Sequence, residues 1–412
     1  MSTTTTQRDA WWARPGLGID DGRLTIAGCD AEQLAREHGT PAFTYDLERA
    51  VEQAEALRDA FAAAGLRGVV RYALKAQREP GFLRFLRQRA PFVGIDVCSP
   101  GELGWAIQHG WTADEISYTG TNLSDRDLAR IVPSGCHINV DLLSQLERLG
   151  RAAPSRAVGI RVNPRAGATH AGGSESAYAG AKPTKFGVYP ERLSEAVEIA
   201  RRHDLTIDTV HVHSGYLYFN DSLDVVDEVM SRVAAAAATL IEAGCPIAEV
   251  NTGGGLGVPF RPSDEPLDLA RWAGIMDRHF GSLGVTVATE PGEFIAKQTG
   301  VLLAEVVTVE DRDGTTFVGL DTGWNALCEH FVYDIPFFPI LCRAVDEAPV
   351  HEVTFAGHIN EGPDLFAERY PFPEVREGDI VAIPNVGSYN ASMASFHCMR
   401  EAPGSLLFED RA

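Results

Sequence analysis

The chain has 412 residues, 45% of them hydrophobic and 23% charged, with a formal net charge of −21. That length exceeds one ordinary compact domain and points to two domains, or to one large barrel with an appendage. The acidic balance is spread along the chain and excludes the basic face that a nucleic acid or an anionic membrane would need; no apolar run is long enough to span a bilayer, and the opening MSTTTTQRDAWWARPG lacks the basic and apolar regions of a secretory signal.

GLGIDDGRLTIAG, near the start, reads as a hairpin. From about residue 40, TPAFTYD leads into a helix through LERAVEQAEALRDAFAAAG. Eight strand candidates follow: GVVRYAL, FVGIDV, EISYTG, HINVD, VGIRVN, DTVHVH, AEVNTG and VTVATE. The segments between them carry apolar residues at helical spacing, as in SEAVEIARRH and VVDEVMSRVAAAAATLIEAG. Eight such repeats predict a parallel (β/α)8 barrel over residues 40–294. An open doubly wound sheet is the alternative, and it would be expected to show fewer strands and a glycine-rich first turn. The connection after the fifth strand, residues 165–184, is long and rich in Gly, Ala and Ser, and reads equally as a lid or as a disordered insertion. Beyond residue 295 the pattern turns to strands: LLAEVVTVEDRDGTTFVGLD reads as two joined at Asp313-Gly314, and EGDIVAIPNVG as another. Residues 295–412 are therefore expected to form a β-rich domain that takes in residues 1–39.

Seven cysteines stand singly, an odd number without a CxxC pair. That pattern argues for reduced thiols in the cytoplasm, with no disulfide frame and no zinc or other metal site.

Functional residues of a (β/α)8 barrel lie at the C-terminal ends of its strands. Here those ends carry Lys75, then Asp96 with Ser99 and Glu102, then Arg161 and Asn163, His211 and His213, Gly253-Gly254-Gly255, and Glu290-Pro291-Gly292-Glu293. Each has a bland reading: a solvated lysine, a turn, a surface carboxylate, or in the His-Val-His pair a metal site lacking a third ligand. Together they fit one chemistry. Only four lysines occur, at 75, 182, 185 and 297, and a lysine kept inside the apolar stretch Gly68–Ala76 can lose its proton and bond to an aldehyde cofactor. Glycines let backbone N–H groups approach a phosphate. A carboxylate facing a pyridine nitrogen keeps the ring an electron sink.

These motifs resemble the fold-type III pyridoxal 5'-phosphate decarboxylases, the group of diaminopimelate, ornithine and carboxynorspermidine decarboxylases, whose barrel alanine racemase shares. The likeness runs from about residue 17 to 400 through Tyr72-Ala-Leu-Lys75-Ala, Asp96-Val-Cys-Ser-Pro-Gly-Glu102, Arg161-Val-Asn163-Pro, Lys185-Phe-Gly, His211-Val-His213, Gly253-Gly-Gly255 and Glu290-Pro-Gly. It implies that Lys75 forms the Schiff base with the cofactor, His213 stacks on the ring and Glu290 pairs with the ring nitrogen. Gly253 to Gly255, Gly292 and Tyr389 would serve the phosphate, with Asp96 and Arg161 also at the cofactor. The likeness further implies a head-to-tail homodimer in which Asn360 to Asp364 reach the partner's active site.

The departures bear on the substrate. In His358-Ile-Asn360-Glu361-Gly-Pro-Asp364, Asn360 takes the position of the family's proton-donating cysteine, which leaves His358 and Tyr333 as candidate donors. Alternatively, protonation elsewhere would couple decarboxylation to transamination. Glu293 and Glu329 stand where arginines hold a distal carboxylate in the diaminopimelate enzymes. A distal carboxylate would be repelled there and a distal amine attracted, unless both glutamates pair with arginines elsewhere in the fold. Tyr216 replaces a phosphate-contacting serine. The expected catalytic set is Lys75, His213, Glu290, Asn360 and Glu361, and the substrate set is Glu293, Glu329, Tyr333, Glu361 and Asp364. The reading is an amino-acid decarboxylase, with diaminopimelate disfavoured and a specialised natural-product, siderophore or polyamine role in view. The alternatives are a racemase on the same fold and a non-catalytic cofactor carrier; the β domain counts against the carrier.

Overall fold

The computed structural model describes residues 10–167, 178–180 and 182–411. Eight parallel strands close into a barrel: β1 Gly68–Ala73, β2 Gly94–Val97, β3 Ile116–Gly120, β4 His137–Val140, β5 Ala157–Arg161, β6 Thr206–His211, β7 Glu249–Asn251 and β8 Thr286–Thr289. β8 pairs with β1, and β6 joins β5 to β7, so no strand edge is left open. The strands are short and rich in Val and Ile, as covering on both faces requires. The outer helices present one apolar stripe each. Leu223–Glu242 buries Leu223, Val226, Val229, Met230, Val233, Ala237 and Leu240, a spacing of three and four residues.

The second domain is a mixed sheet in the order Ile340–Leu341, Ile380–Pro384, Gly300–Arg312, Thr315–Leu320, His351–Ala356, Leu365–Phe372. The turn between Gly300–Arg312 and Thr315–Leu320 lies at Asp313 (φ 53°) and Gly314 (φ 81°), the left-handed pair that a two-residue hairpin needs. The N-terminal hairpin, Leu17–Asp20 with Arg23–Ile26, packs Leu17, Leu24 and Ile26 against Val301, Leu303 and Ala382 of this sheet.

A division at residue 40 would put Ala42–Asp46 with the barrel. Its hydrogen bonds run instead to Gly300–Arg312 and Gly404–Phe408 of the sheet. Extended backbone pairs wherever a free edge is offered, and a closed barrel offers none. Most of the glycine-rich connection expected as a lid or disordered insertion, residues 168–177 and 181, lies outside the described residues.

Candidate active site

The barrel mouth and the β domain enclose a cavity of about 330 Å³. Lys75 opens into it from the turn that follows β1, two residues past the strand's end. Backbone bonds fix that turn from two sides: Leu74 N–H donates to the Asp96 carbonyl at 3.0 Å, and Tyr389 N–H donates to the Ala76 carbonyl at 2.9 Å. The lysine is walled in by the cavity but keeps exposed surface toward it. Enclosure by itself lowers an amine's pKa. Here Tyr389, Asp96 and Cys98 outweigh it and hold Lys75 above the ordinary lysine value. The free lysine is therefore an ammonium, and the expected neutral amine would have to be generated when a carbonyl partner arrives.

Opposite lies Glu290, buried just past β8. Asn251 Nδ2 donates to its Oε1 at 2.6 Å, Ser117 Oγ donates to the same oxygen at 3.3 Å, and His211 Nε2 faces its Oε2 at 2.9 Å. Asn139 Nδ2 extends the chain by donating to Ser117 Oγ at 3.0 Å. These partners come from β3, β4, β6 and β7, so the barrel's closure assembles them. Burial pushes the Glu290 carboxyl up, but His211, the Asn251 bond and Arg71 pull it down to about 2. Asp96, 5% exposed, goes the other way: burial and Glu290 raise it well above the carboxylate range, and its Oδ1 lacks a hydrogen-bond partner among the described residues. His213 is held neutral by burial, Lys75 and Arg161, and its ring meets Tyr178 edge-on at 4.6 Å. Arg161 lies over Phe186 at 4.3 Å, with Asp141 at 3.5 Å.

The glycines are required by space. A Cβ at Gly254 would stand 2.5 Å from the Glu290 carbonyl oxygen. One at Gly255, which also has φ of 101°, would stand 2.5 Å from the Tyr218 ring, and one at Gly292 would stand 2.8 Å from the Tyr389 hydroxyl. The N–H groups of Gly254 and Gly255 donate to no acceptor among the described residues. The result is a concave strip of free donors beside a phenol, which suits a phosphate.

Several expected residues lie elsewhere. Ser99 and Glu102 close a helix end: Ser99 Oγ accepts from Glu102 N–H at 3.1 Å, and Glu102 accepts from Cys98 N–H at 2.8 Å. Asn360 and Glu361 are exposed on a β-domain loop and do not line this chain's cavity; Glu361 lies 3.0 Å from His397 Nε2. Asp364, expected to bind substrate, is buried and accepts from Ile359 and Trp324 N–H at 2.7 and 2.8 Å, so it shapes the loop. His358 also sits outside the cavity, pushed down to about 4 by burial and Arg400. Tyr216, Glu293, Glu329, Tyr333 and Tyr389 do line it. The alternative that Glu293 and Glu329 pair with arginines elsewhere in the fold is met in another form: both pair with one lysine, Lys297, at 3.0 and 2.8 Å. Sequence reading passed over Lys297, although its spacing of four from Glu293 on a short helix was a usable signal. It also passed over Asn251 and Ser117, which carry no motif of their own, and gave no role to Cys98, which lines the cavity from within the Asp96–Glu102 motif.

Residues 47–297 match the family described as "Pyridoxal-dependent decarboxylase, pyridoxal binding domain". The diaminopimelate decarboxylase of Methanothermobacter thermautotrophicus is 34% identical, with 96% of this chain and 93% of that protein covered. The chain belongs to the pyridoxal-dependent decarboxylases. Its cofactor is pyridoxal 5'-phosphate and its enzyme class is carboxy-lyase. The Escherichia coli diaminopimelate decarboxylase is 30% identical over 92% of each chain. The crystal structure of diaminopimelate decarboxylase from M. jannaschii in co-complex with L-lysine superposes on this decarboxylase with a TM-score of 0.85 at 25% identity, covering 95% of this chain and 92% of that one. Among the described residues no helix is long and apolar enough to cross a membrane.

Proposed function

We propose that this decarboxylase removes the α-carboxylate of an amino acid at the Lys75 cavity, and that diaminopimelate is not its preferred substrate. The reaction reading rests on Lys75, the ionised Glu290 and the free glycine amides converging on one cavity. Lys75 would hold the cofactor's aldehyde carbon through its amine. Gly254, Gly255, Gly292 and the Tyr389 hydroxyl would hold the phosphate, with Gly253 shaping the turn. Glu290 would keep a proton on the ring nitrogen, His213 would lie against the ring, and Asp96 and Arg161 would flank it. Bound there, pyridoxal phosphate supplies an electron sink for the pair left when carbon dioxide departs. Tyr333, whose phenol burial holds protonated, lines the cavity and can donate a proton.

Carbon dioxide release by the cofactor-loaded enzyme across acidic, neutral and basic amino acids tests this. Release from at least one basic or neutral amino acid, faster than from diaminopimelate, is expected. Fastest release from diaminopimelate, the reading that the relatives' names favour, would overturn the substrate part. Exchange of the α-proton without carbon dioxide would make the enzyme a racemase.

A homodimer is part of the proposal. Phe396 and Met399 are 81% and 93% exposed and Val332 59%, on segments that join the Asn360–Glu361 loop through the Trp324–His397 stack and the His397–Glu361 contact. Side chains this apolar and this exposed fit a second copy, which would bring Asn360 and Glu361 to its neighbour's cavity. Replacing both Phe396 and Met399 by Glu should yield monomers in light scattering with turnover reduced about 10-fold or more, the cost of a site left incomplete. A fully active monomer would refute this. The seven unpaired cysteines favour a cytoplasmic location.

A further inference from the structure

The two oxygens of Glu290 are held unequally. Oε1 accepts from two neutral donors, Asn251 Nδ2 at 2.6 Å and Ser117 Oγ at 3.3 Å. Ser117 is itself steadied by Asn139, whose amide donates to Ser117 Oγ at 3.0 Å and to Thr119 Oγ1 at 2.9 Å. Gly159 on β5 makes room for this arrangement, since a Cβ there would stand 1.9 Å from Asn139 Oδ1. Oε2 is met by one group among the described residues, His211 Nε2 at 2.9 Å. A carboxylate offers about four lone-pair sites. Two on Oε1 and one on Oε2 are taken, so the site left for a further donor is on the oxygen that His211 holds.

His211 is committed to that one bond. It closes β6 and is 1% exposed, and its Nδ1 is buried without a partner among the described residues. An ionised carboxylate only accepts hydrogen bonds, so Nε2 carries the hydrogen and donates it to Oε2. Leaving Nδ1 buried and unpaired costs free energy, which an apolar side chain at this position would avoid. His213, two residues on, also lines the cavity but meets Tyr178 instead. The two histidines of His211-Val212-His213 thus serve different partners, the outer one an aromatic wall and the inner one a carboxylate.

We propose that His211 is a positioning residue that acts through Glu290: its Nε2–H fixes Oε2 as the oxygen presented to the nitrogen of the cofactor ring, and it keeps the shared proton on that nitrogen. The inference rests on the reading above that Glu290 pairs with the ring nitrogen, and deepens it. Burial draws the Glu290 carboxyl toward its protonated form, and His211 is the foremost of the groups that oppose this. Arg71 also favours the ionised form, but its guanidinium is spent on Glu249, at 2.6 and 2.8 Å, and makes no bond to Glu290. Without the His211 donor, Glu290 would keep the proton and present a neutral O–H to the ring. The ring would then lack the positive charge that draws electrons from the reacting carbon.

The test loads the enzyme with cofactor isotopically labelled at its ring nitrogen and reads that nitrogen's NMR shift, which separates a protonated from an unprotonated ring and needs no turnover. Carbon dioxide release from the best substrate of the amino-acid panel is measured alongside. His211→Leu removes the donor and keeps much of the volume. Its ring signal should move to the unprotonated position, and its rate should fall about 10- to 100-fold, the range found when a hydrogen-bonded partner behind a functional group is lost, with KM changed little. In His211→Gln the amide nitrogen can take the place of Nε2, so the signal should stay protonated and most of the rate should return. In His211→Asn the amide is one carbon short. This variant should behave as His211→Leu does, and it decides the matter if the leucine variant fails to fold, which thermal unfolding and cofactor absorption report. A ring nitrogen still protonated in both His211→Leu and His211→Asn, or a folded glutamine variant as impaired as these, would overturn the role of His211. An unprotonated ring nitrogen in the wild-type enzyme would instead remove the Glu290 pairing on which that role rests.

Discussion

Lys75→Ala should purify without the visible absorption of the bound cofactor, and its turnover should fall by at least about 1,000-fold, because a covalently held reactant is positioned in a way that a diffusing one is not. Borohydride treatment of the wild-type enzyme should fix the cofactor to the peptide carrying Lys75. The other lysines offer the contrast. Lys297 is paired with two carboxylates and has no exposure, and Lys185, exposed beside the Phe186 ring, lines the same cavity and is the competing point of attachment. A label on either of their peptides would remove the basis of the site assignment. The direction of the Lys75 shift adds a kinetic expectation. Its neighbours hold it as an ammonium, so cofactor uptake by stripped enzyme should quicken as pH rises and more amine is free.

Glu290→Gln should keep the fold and the cofactor but lower turnover by about 100-fold or more, the usual cost of losing one preorganised charge at a developing ion pair. The glutamine can still accept from Asn251, so packing is retained. What goes is the charge that would keep the ring nitrogen protonated. Absorption spectra and thermal unfolding, measured together, separate this from loss of structure, and near-wild-type turnover would exclude the proposed role. A stability effect accompanies it. The Glu290 carboxyl is ionised down to about pH 2 in the fold, against an ordinary value near 4.5. It therefore contributes stability that is fully present above about pH 4.5 and lost as pH falls toward 2. The variant should lack that part of the acid dependence.

The barrel was legible because strands covered on both faces read as short Val- and Ile-rich runs between amphipathic helices, and all eight runs are strands of the closed sheet. The placing of Lys75, Glu290, Gly254 and Gly255 at the cavity was legible because each stands at the same end of its strand, where a barrel gathers function; Gly253, expected with them at the phosphate, does not line the cavity and donates its N–H to Asn251 Oδ1 at 3.0 Å. Ser99 and Glu102 showed the limit of that rule. They stand past a strand's end, yet a serine three residues before a glutamate also caps a helix, and local hydrogen bonds won. Asp364 misled in a similar way, since a carboxylate in a loop meets backbone amides more readily than a distant ligand.

By itself, then, the sequence determined the fold class, the two-domain plan and the cofactor chemistry, because periodicity and strand-end composition are local properties that the chain carries in order. Tertiary structure alone decided how Glu293 and Glu329 are paired. Lys297 meets Glu329 across 32 residues of sequence, and no spacing rule reports such a contact. It likewise decided that Glu290 is ionised and Asp96 tends to hold its proton: the two share one buried field, and the hydrogen bonds donated to Glu290 come from strands adjacent only once the barrel has closed.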